Sequence, residues 1–195
     1  MLWPVRVVDS FWAIMCTMLI CIGGFAGSGR NRIAKELAKV LGFHNFNLTR
    51  LKKQPLIRHE HRITHEKLFS YSDELLLRIF RSAVSNFQQL SKMYPDMIVA
   101  DYFTREIPRE FLFNEAEKYF GPPLIIWMDS TEEESIVRLN ELYGTKQNIL
   151  KNKRLIQSNI RARFQPFTRS VHNIRYINNP AAIDEALTLV REHLK

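Results

Sequence analysis

Residues Met18–Ile33 read MLICIGGFAGSGRNRI. The apolar run Met18 to Ile22 passes without a polar break into Gly23, Gly24, Gly27 and Gly29, and a helix-like pattern begins at once. A buried strand, a glycine loop and a helix start together make a cradle for phosphate. Glycines let the backbone approach an anion, loop N–H groups point inward, and the helix N-terminus adds partial positive charge. Gly24 to Gly29 has the spacing of the first part of G-x-x-x-x-G-K-[ST]. The pattern then departs, with Arg30 in the lysine position and Asn31 in the hydroxyl position.

Downstream of the loop, Ile33, Leu37, Val40 and Leu41 recur at helical spacing, and Gly42 is a natural stop. Phe43–Leu51 reads as a short strand passing into a loop that Pro55 breaks. Ser72–Met93 predicts one long amphipathic helix, opened by Ser72, Asp73 and Glu74. Met97–Ala100 is a second strand ending in Asp101. Phe111–Tyr119 predicts a helix closed by Gly121, and Leu124–Met128 is a third strand ending in Asp129. Thr131–Glu134 reads as a capped helix start. A basic helix over Asn148–Phe164, a strand at Ile174–Ile177 and a helix at Ile183–Leu194 complete the chain. Strands that are apolar throughout and separated by helices predict an α/β fold, its parallel sheet covered on both faces. Ligands of such sheets bind beyond the carboxyl ends of the strands, where the glycine loop, Asp101 and Asp129 all fall.

Composition bounds the reading. The 195 residues are 46% hydrophobic and 25% charged, which suits one globular domain and excludes a disordered chain. A net charge of +8 points to a polyanionic ligand: nucleotide, nucleic acid or a membrane surface. Cys16 and Cys21 are too few for a disulfide framework and read as small core residues in a reducing, cytoplasmic setting. The apolar run Phe11–Ile22 is shorter than the roughly 20 residues of a membrane span. It matches a signal-peptide core in length, but cleavage there would remove the strand that feeds the loop. Met1–Thr17 is therefore read as an extension outside the fold, with no membrane partner. His61 and His65 would sit one helical turn apart. Arg62 holds the glutamate position of H-E-x-x-H, so His59–Phe69 reads as a solvated helix face rather than a metal site.

The order of these pieces resembles the adenylate kinase, or nucleoside monophosphate kinase, family. Gly24-Phe-Ala-Gly-Ser-Gly29 looks like that family's G-x-P-G-S-G loop. Asp101-Tyr-Phe-Thr-Arg105-Glu-Ile-Pro-Arg109 resembles its D-G-[FY]-P-R-T-x-x-Q segment. Asn152-Lys-Arg154-Leu155, followed by Arg161-Ala-Arg-Phe-Gln-Pro166-Phe, resembles the K-K-R-L helix and the P-[LV]-I-x-Y-Y ending. The likeness runs from Met18 to the C-terminus. It implies a three-layer α/β P-loop kinase fold in one domain, 18–195. A helical monophosphate-binding insertion would occupy about 44–93 and a short lid about 140–152. The implied reaction moves the γ-phosphoryl of ATP, with Mg²⁺, to a nucleoside monophosphate on a monomeric protein.

By the same resemblance, Gly24, Ala26, Gly27, Ser28, Gly29, Arg30, Asn31 and Arg32 would hold ATP. Lys53, Asp101 and Arg105 would hold the acceptor, and Asp101 would position Mg²⁺ through water. Arg30, Arg105, Arg138 and Arg154 would be the catalytic arginines, because planar guanidinium forks suit phosphate oxygens. The departures are specific. Arg30 replaces a lysine, Asn31 a glycine, and Arg32 a metal-binding threonine. Asn47-Leu48-Thr49-Arg50-Leu51-Lys52-Lys53 falls where the family has S-x-G-D-L-L-R. Leu142 stands where a second lid arginine is expected. These changes motivate a second reading, a degenerate nucleotide-binding protein with little or no transfer. A third reading takes Lys151, Lys153, Arg154, Arg161, Arg163 and Arg169 as a nucleic-acid surface. No RNA- or DNA-binding motif accompanies those charges, so a nucleic-acid partner is not expected.

Overall fold

The computed structural model describes residues 17–46, 48, 72–144, 146–175, 179 and 181–194. Cys16, Lys53 and the histidine-rich stretch 59–69 lie outside them. Among the described residues five strands form one parallel sheet: β1 (Met18–Gly24), β2 (His44–Phe46), β3 (Asp96–Ala100), β4 (Leu124–Asp129) and β5 (His172–Arg175). Their order is β2-β3-β1-β4-β5. β1 is central and wholly buried. Ile22 pairs with Ala100 of β3 on one side and with Ile126 of β4 on the other. β2 pairs with β3 and β5 with β4, also in parallel.

Among the described residues seven helices surround the sheet: α1 (Arg30–Leu41), α2 (Asp73–Val84), α3 (Phe87–Met93), α4 (Glu106–Phe120), α5 (Glu132–Tyr143), α6 (Gln147–Ala162) and α7 (Ala182–His193). The period-two alternation of the strands sorts the core into two layers. Ile20, Ile22, Ile98, Ile126 and Met128 face Ile33 and Leu37 of α1 and Ala186 and Val190 of α7. Leu19, Cys21, Met97, Val99 and Ile125 face α2, α3 and α4, where Phe80, Phe87, Phe113 and Phe120 fill the space. Burying each such side chain contributes roughly 1.5–3 kcal/mol. Cys21 is a core residue, as expected, and its burial pushes the thiol pKa up. Among the described residues, no helix is long and apolar enough to cross a membrane.

The expected single helix over Ser72–Met93 is two. Ser72 caps the first, its hydroxyl accepting from the Leu75 N–H. The break falls at Ser85 and Asn86, whose side chains both donate to the Ser82 carbonyl at 2.9 and 2.7 Å. Such local side-chain bonds compete with the helical ladder. β5 begins two residues earlier than the apolar pattern suggested. α4 begins five residues earlier, at Glu106, with Pro108 tolerated in its first turn. Residues 140–152 comprise the end of α5, a three-residue connection and the start of α6. Thr17 donates its hydroxyl to the Tyr119 carbonyl at 2.9 Å, so the fold includes it.

The connections set the site. The chain leaves β1 toward α1 on one face and leaves the adjacent β3 toward α4 on the other. The crevice between the carboxyl ends of β1 and β3 is therefore a topological switch point, the usual ligand position in open α/β sheets.

Candidate functional site

The loop after β1 is shaped by three glycines in left-handed or related conformations: Gly24 (φ 154°), Gly27 (φ 88°) and Gly29 (φ 90°). Gly27 needs more than its φ. A Cβ there would lie 2.6 Å from the Ser135 carbonyl oxygen, so the loop rests on the backbone at the start of α5. Ser28 N–H bonds the Phe25 carbonyl, and Arg32 and Ile33 N–H groups bond that of Gly29. Gly29 gives α1 no side-chain cap, and the first turn carries no acidic residue. The first N–H groups of α1 thus keep the anion-attracting character of an uncapped helix start. Ser28 is fully buried, and its hydroxyl has no hydrogen-bond partner.

Arg30 is turned inward. Its Nη1 donates to the Gly24 carbonyl at 3.1 Å and the Phe25 carbonyl at 2.8 Å. Its guanidinium carbon lies 3.9 Å from the centre of the Tyr102 ring, and its Nε has no partner. The side chain is only 9% exposed. Arg30 therefore ties the loop to the segment after β3. Arg32, two residues on, lies on the exposed side of α1 and bonds Glu36 at 2.7 Å. Asn31 is exposed.

Asp101 follows β3 directly and is nearly buried, its N–H bonded to the Ile22 carbonyl of β1 at 3.2 Å. The turn that follows holds Phe103 at φ 49°, uncommon for a bulky residue. That conformation is fastened from two sides. The Thr104 carbonyl accepts from the Gln165 N–H at 2.9 Å, and the Glu106 N–H donates to the Gln165 side chain at 2.8 Å. Arg109, fully buried, donates to the carbonyls of Phe103, Gln165 and Pro166, and its guanidinium carbon lies 4.1 Å from the Phe167 ring centre. Burial lowers its pKa, opposed by Glu110 and Glu106. Arg105 holds Asp73 with both arms of its fork, Nε at 2.7 Å and Nη2 at 2.9 Å, which joins α4 to α2. That hydrogen-bonded pair keeps the Asp73 carboxyl below its ordinary range.

An aromatic layer closes the opposite side of the loop. Phe25 and Trp127 meet edge to face with centres 5.1 Å apart, and Phe164 lies 5.1 Å from Trp127. Arg161 of α6 sits 4.1 Å above the Phe25 ring and donates to the Ser130 carbonyl at 2.6 Å. Its burial lowers its pKa, opposed by Glu132, Asp129 and Glu133.

Of the expected site residues, Gly24, Ala26, Gly27, Ser28, Gly29 and Arg30 gather at the loop, with Asp101 across the crevice. Arg105 is joined to Asp73. Arg138 is half-buried on α5. Arg154 is exposed on α6 and bonds Asn140 at 2.8 Å. Two residues to which the resemblance gives no role are Arg161, which stacks on Phe25, and the wholly buried Gln157 one turn before it. The available signal was spacing, since Gln157, Ile160 and Arg161 fall on one face of α6.

No family model matches the sequence, and no curated protein does. Solved structures do match in shape. A gluconokinase from Sinorhizobium meliloti 1021 superimposes with a TM-score of 0.66 at 16% identity, covering 92% of this chain and 96% of that one. A sugar kinase from Janibacter sp. HTCC2649 gives 0.64 at 19% identity, covering 90% and 95%. Kti12 from Chaetomium thermophilum, in complex with ADP-AlF3, gives 0.56 at 15% identity, covering 89% and 97%. At such identities the likeness is one of fold. The chain has the three-layer P-loop kinase fold with a parallel central sheet.

Proposed function

We propose that this protein is a kinase-like nucleotide-binding protein that seats the phosphates of ATP on residues 24–32. The observation that carries the reading is the buried, unpartnered Ser28 hydroxyl inside a glycine loop at an uncapped helix start. A phosphate chain supplies the acceptors this donor set lacks. The finer reading is transfer of the γ-phosphoryl to a nucleoside monophosphate held near Asp101 and Arg105, with Arg138 and Arg154 closing from α5 and α6. Kinases place and neutralise the moving phosphoryl more than they form bonds to it, and arginines suit that task. Among the described residues no group of three His, Cys, Asp or Glu gathers. Mg²⁺ would therefore arrive with the phosphates, with Asp101 as a carboxylate behind its water shell.

A specific observation also favours the second reading, nucleotide binding with little transfer. Arg30 already donates to two loop carbonyls, and Arg32, in the metal-ligand register, is directed to Glu36. Calorimetric titration with ATP, with and without Mg²⁺, tests binding. A coupled assay for ADP release, run with each nucleoside monophosphate and with gluconate, tests transfer. Binding with monophosphate-dependent turnover is the expected result. Turnover with gluconate alone would replace the acceptor, and Mg²⁺-independent binding without turnover would establish the second reading. A folded protein that binds no nucleotide would sink both.

A further inference from the structure

Buried polar atoms without partners are few in a native protein, and each asks for an explanation. Among the described residues, these atoms are Ser28 Oγ, Arg30 Nε, Arg109 Nε, Glu110 Oε1, both terminal atoms of Gln157, and Arg161 Nε. Arg109 Nε and Glu110 Oε1 face each other at 3.6 Å, so that pair is accounted for. All the others belong to the glycine loop, to the start of α1, or to α6. Gln157 precedes Arg161 by one turn and Ile160 by three residues, so the three share a helix face. Ile160 packs in the aromatic layer with Phe25 and Ala26 of the loop, and Arg161 stacks on Phe25. Gln157 is 0% exposed, and neither its amide nitrogen nor its oxygen is used.

We infer that Gln157 and Arg161 are part of the phosphate site, a second row of donors contributed by α6 beyond the glycine loop. The inference rests on the nucleotide-binding reading above. The unused set is donor-rich: a hydroxyl, two guanidinium N–H groups and a carboxamide NH₂, against one carboxamide oxygen. That chemistry suits the oxygens of a polyphosphate rather than a nucleoside base. It also explains why the helix face that carries Ile160 and Arg161 onto the aromatic layer keeps a carboxamide inside. An apolar residue of the same size would avoid the cost of burying an unpaired amide.

The test uses the full chain, with inorganic tripolyphosphate, ATP and adenosine as probes. Gln157→Met conserves volume and removes both unused atoms. The inference expects the free variant to melt no lower than the wild type, and its affinity for tripolyphosphate and ATP to fall at least tenfold. Unchanged affinity for both, with the wild type binding, would overturn the inference and leave the nucleotide reading standing. An equal loss for adenosine would overturn the assignment to phosphate. A wild type that binds neither tripolyphosphate nor ATP would overturn both readings. Should Gln157→Met fail to fold, the wild type supplies a second readout. The Gln157 side-chain NH₂ resonances should shift on saturation with tripolyphosphate, and resonances that stay put would overturn the inference.

Discussion

The two loops that flank the crevice are built on opposite principles. The loop after β3, residues 101–105, spends its polar groups internally. Gln165, Arg109 and Asp73 take up its carbonyls, the N–H that follows it and its arginine. The loop after β1 leaves a serine hydroxyl buried and unpaired, and beside it the Nε of Arg30. One loop closes most of its own hydrogen bonds; the other leaves some open. Sequence position alone would rank Asp101–Arg105 and Gly24–Gly29 as equal halves of a site. Their hydrogen bonding separates them: the first is braced from within, and the second carries the unpaired groups on which the proposed nucleotide reading rests.

The contrast can be broken by mutation, and the largest effect is expected at Arg109. Arg109→Leu leaves the Phe103, Gln165 and Pro166 carbonyls without this donor and should destabilise the fold by about 3 kcal/mol or more, at roughly 1–3 kcal/mol per stranded group. Urea unfolding measures it, and a loss below about 1 kcal/mol would remove the case that this loop is braced from within. A smaller effect is expected at Asp73. The Asp73–Arg105 pair is about a quarter exposed, so Asp73→Asn should cost under about 1 kcal/mol at neutral pH. The carboxyl is held below its ordinary value of 3.8, so the pair contributes fully above that value. Its contribution is lost as pH falls through the lowered folded value. Unfolding of wild type and variant across pH 2–7 should therefore show a difference that is constant near neutrality and vanishes in acid. The smallest effect on stability is expected at Ser28. Ser28→Ala deletes a buried oxygen that bonds nothing, so its melting temperature should hold or rise while ATP affinity falls. A loss of stability without a change in affinity would make the two loops alike.

Much of this was legible in the sequence, for reasons that differ by region. The strand–loop–helix unit could be read because its constraints are local: an apolar run for a central strand, glycines where φ is positive, and Gly42 as the helix stop. The parallel sheet followed from strands with no polar face. The break at Ser85–Asn86 went unread because its side chains compete with the ladder inside an otherwise helical pattern. Arg30 and Arg105 show what lay beyond it. The resemblance puts both guanidinium groups in phosphate-binding register, and the structure shows one bonded to loop carbonyls and the other to a carboxylate. A residue type specifies which partners an arginine can take, whereas the chain's path decides which are within reach. Gln157 was hidden for the converse reason, since one amide among the five of a basic helix looks like surface until the helix is packed.

The central place of β1 also bears on how the molecule assembles. The glycine loop hangs from a strand whose neighbours, β3 and β4, come roughly 75 to 100 residues later in the chain. Closing such long segments costs entropy before any sheet contact repays it. On a ribosome, the second neighbour is absent until Leu124–Asp129 has emerged, roughly 100 residues after β1. The glycine loop is thus made well before the sheet that holds it, and the proposed nucleotide could stabilise it only after β4 is in place.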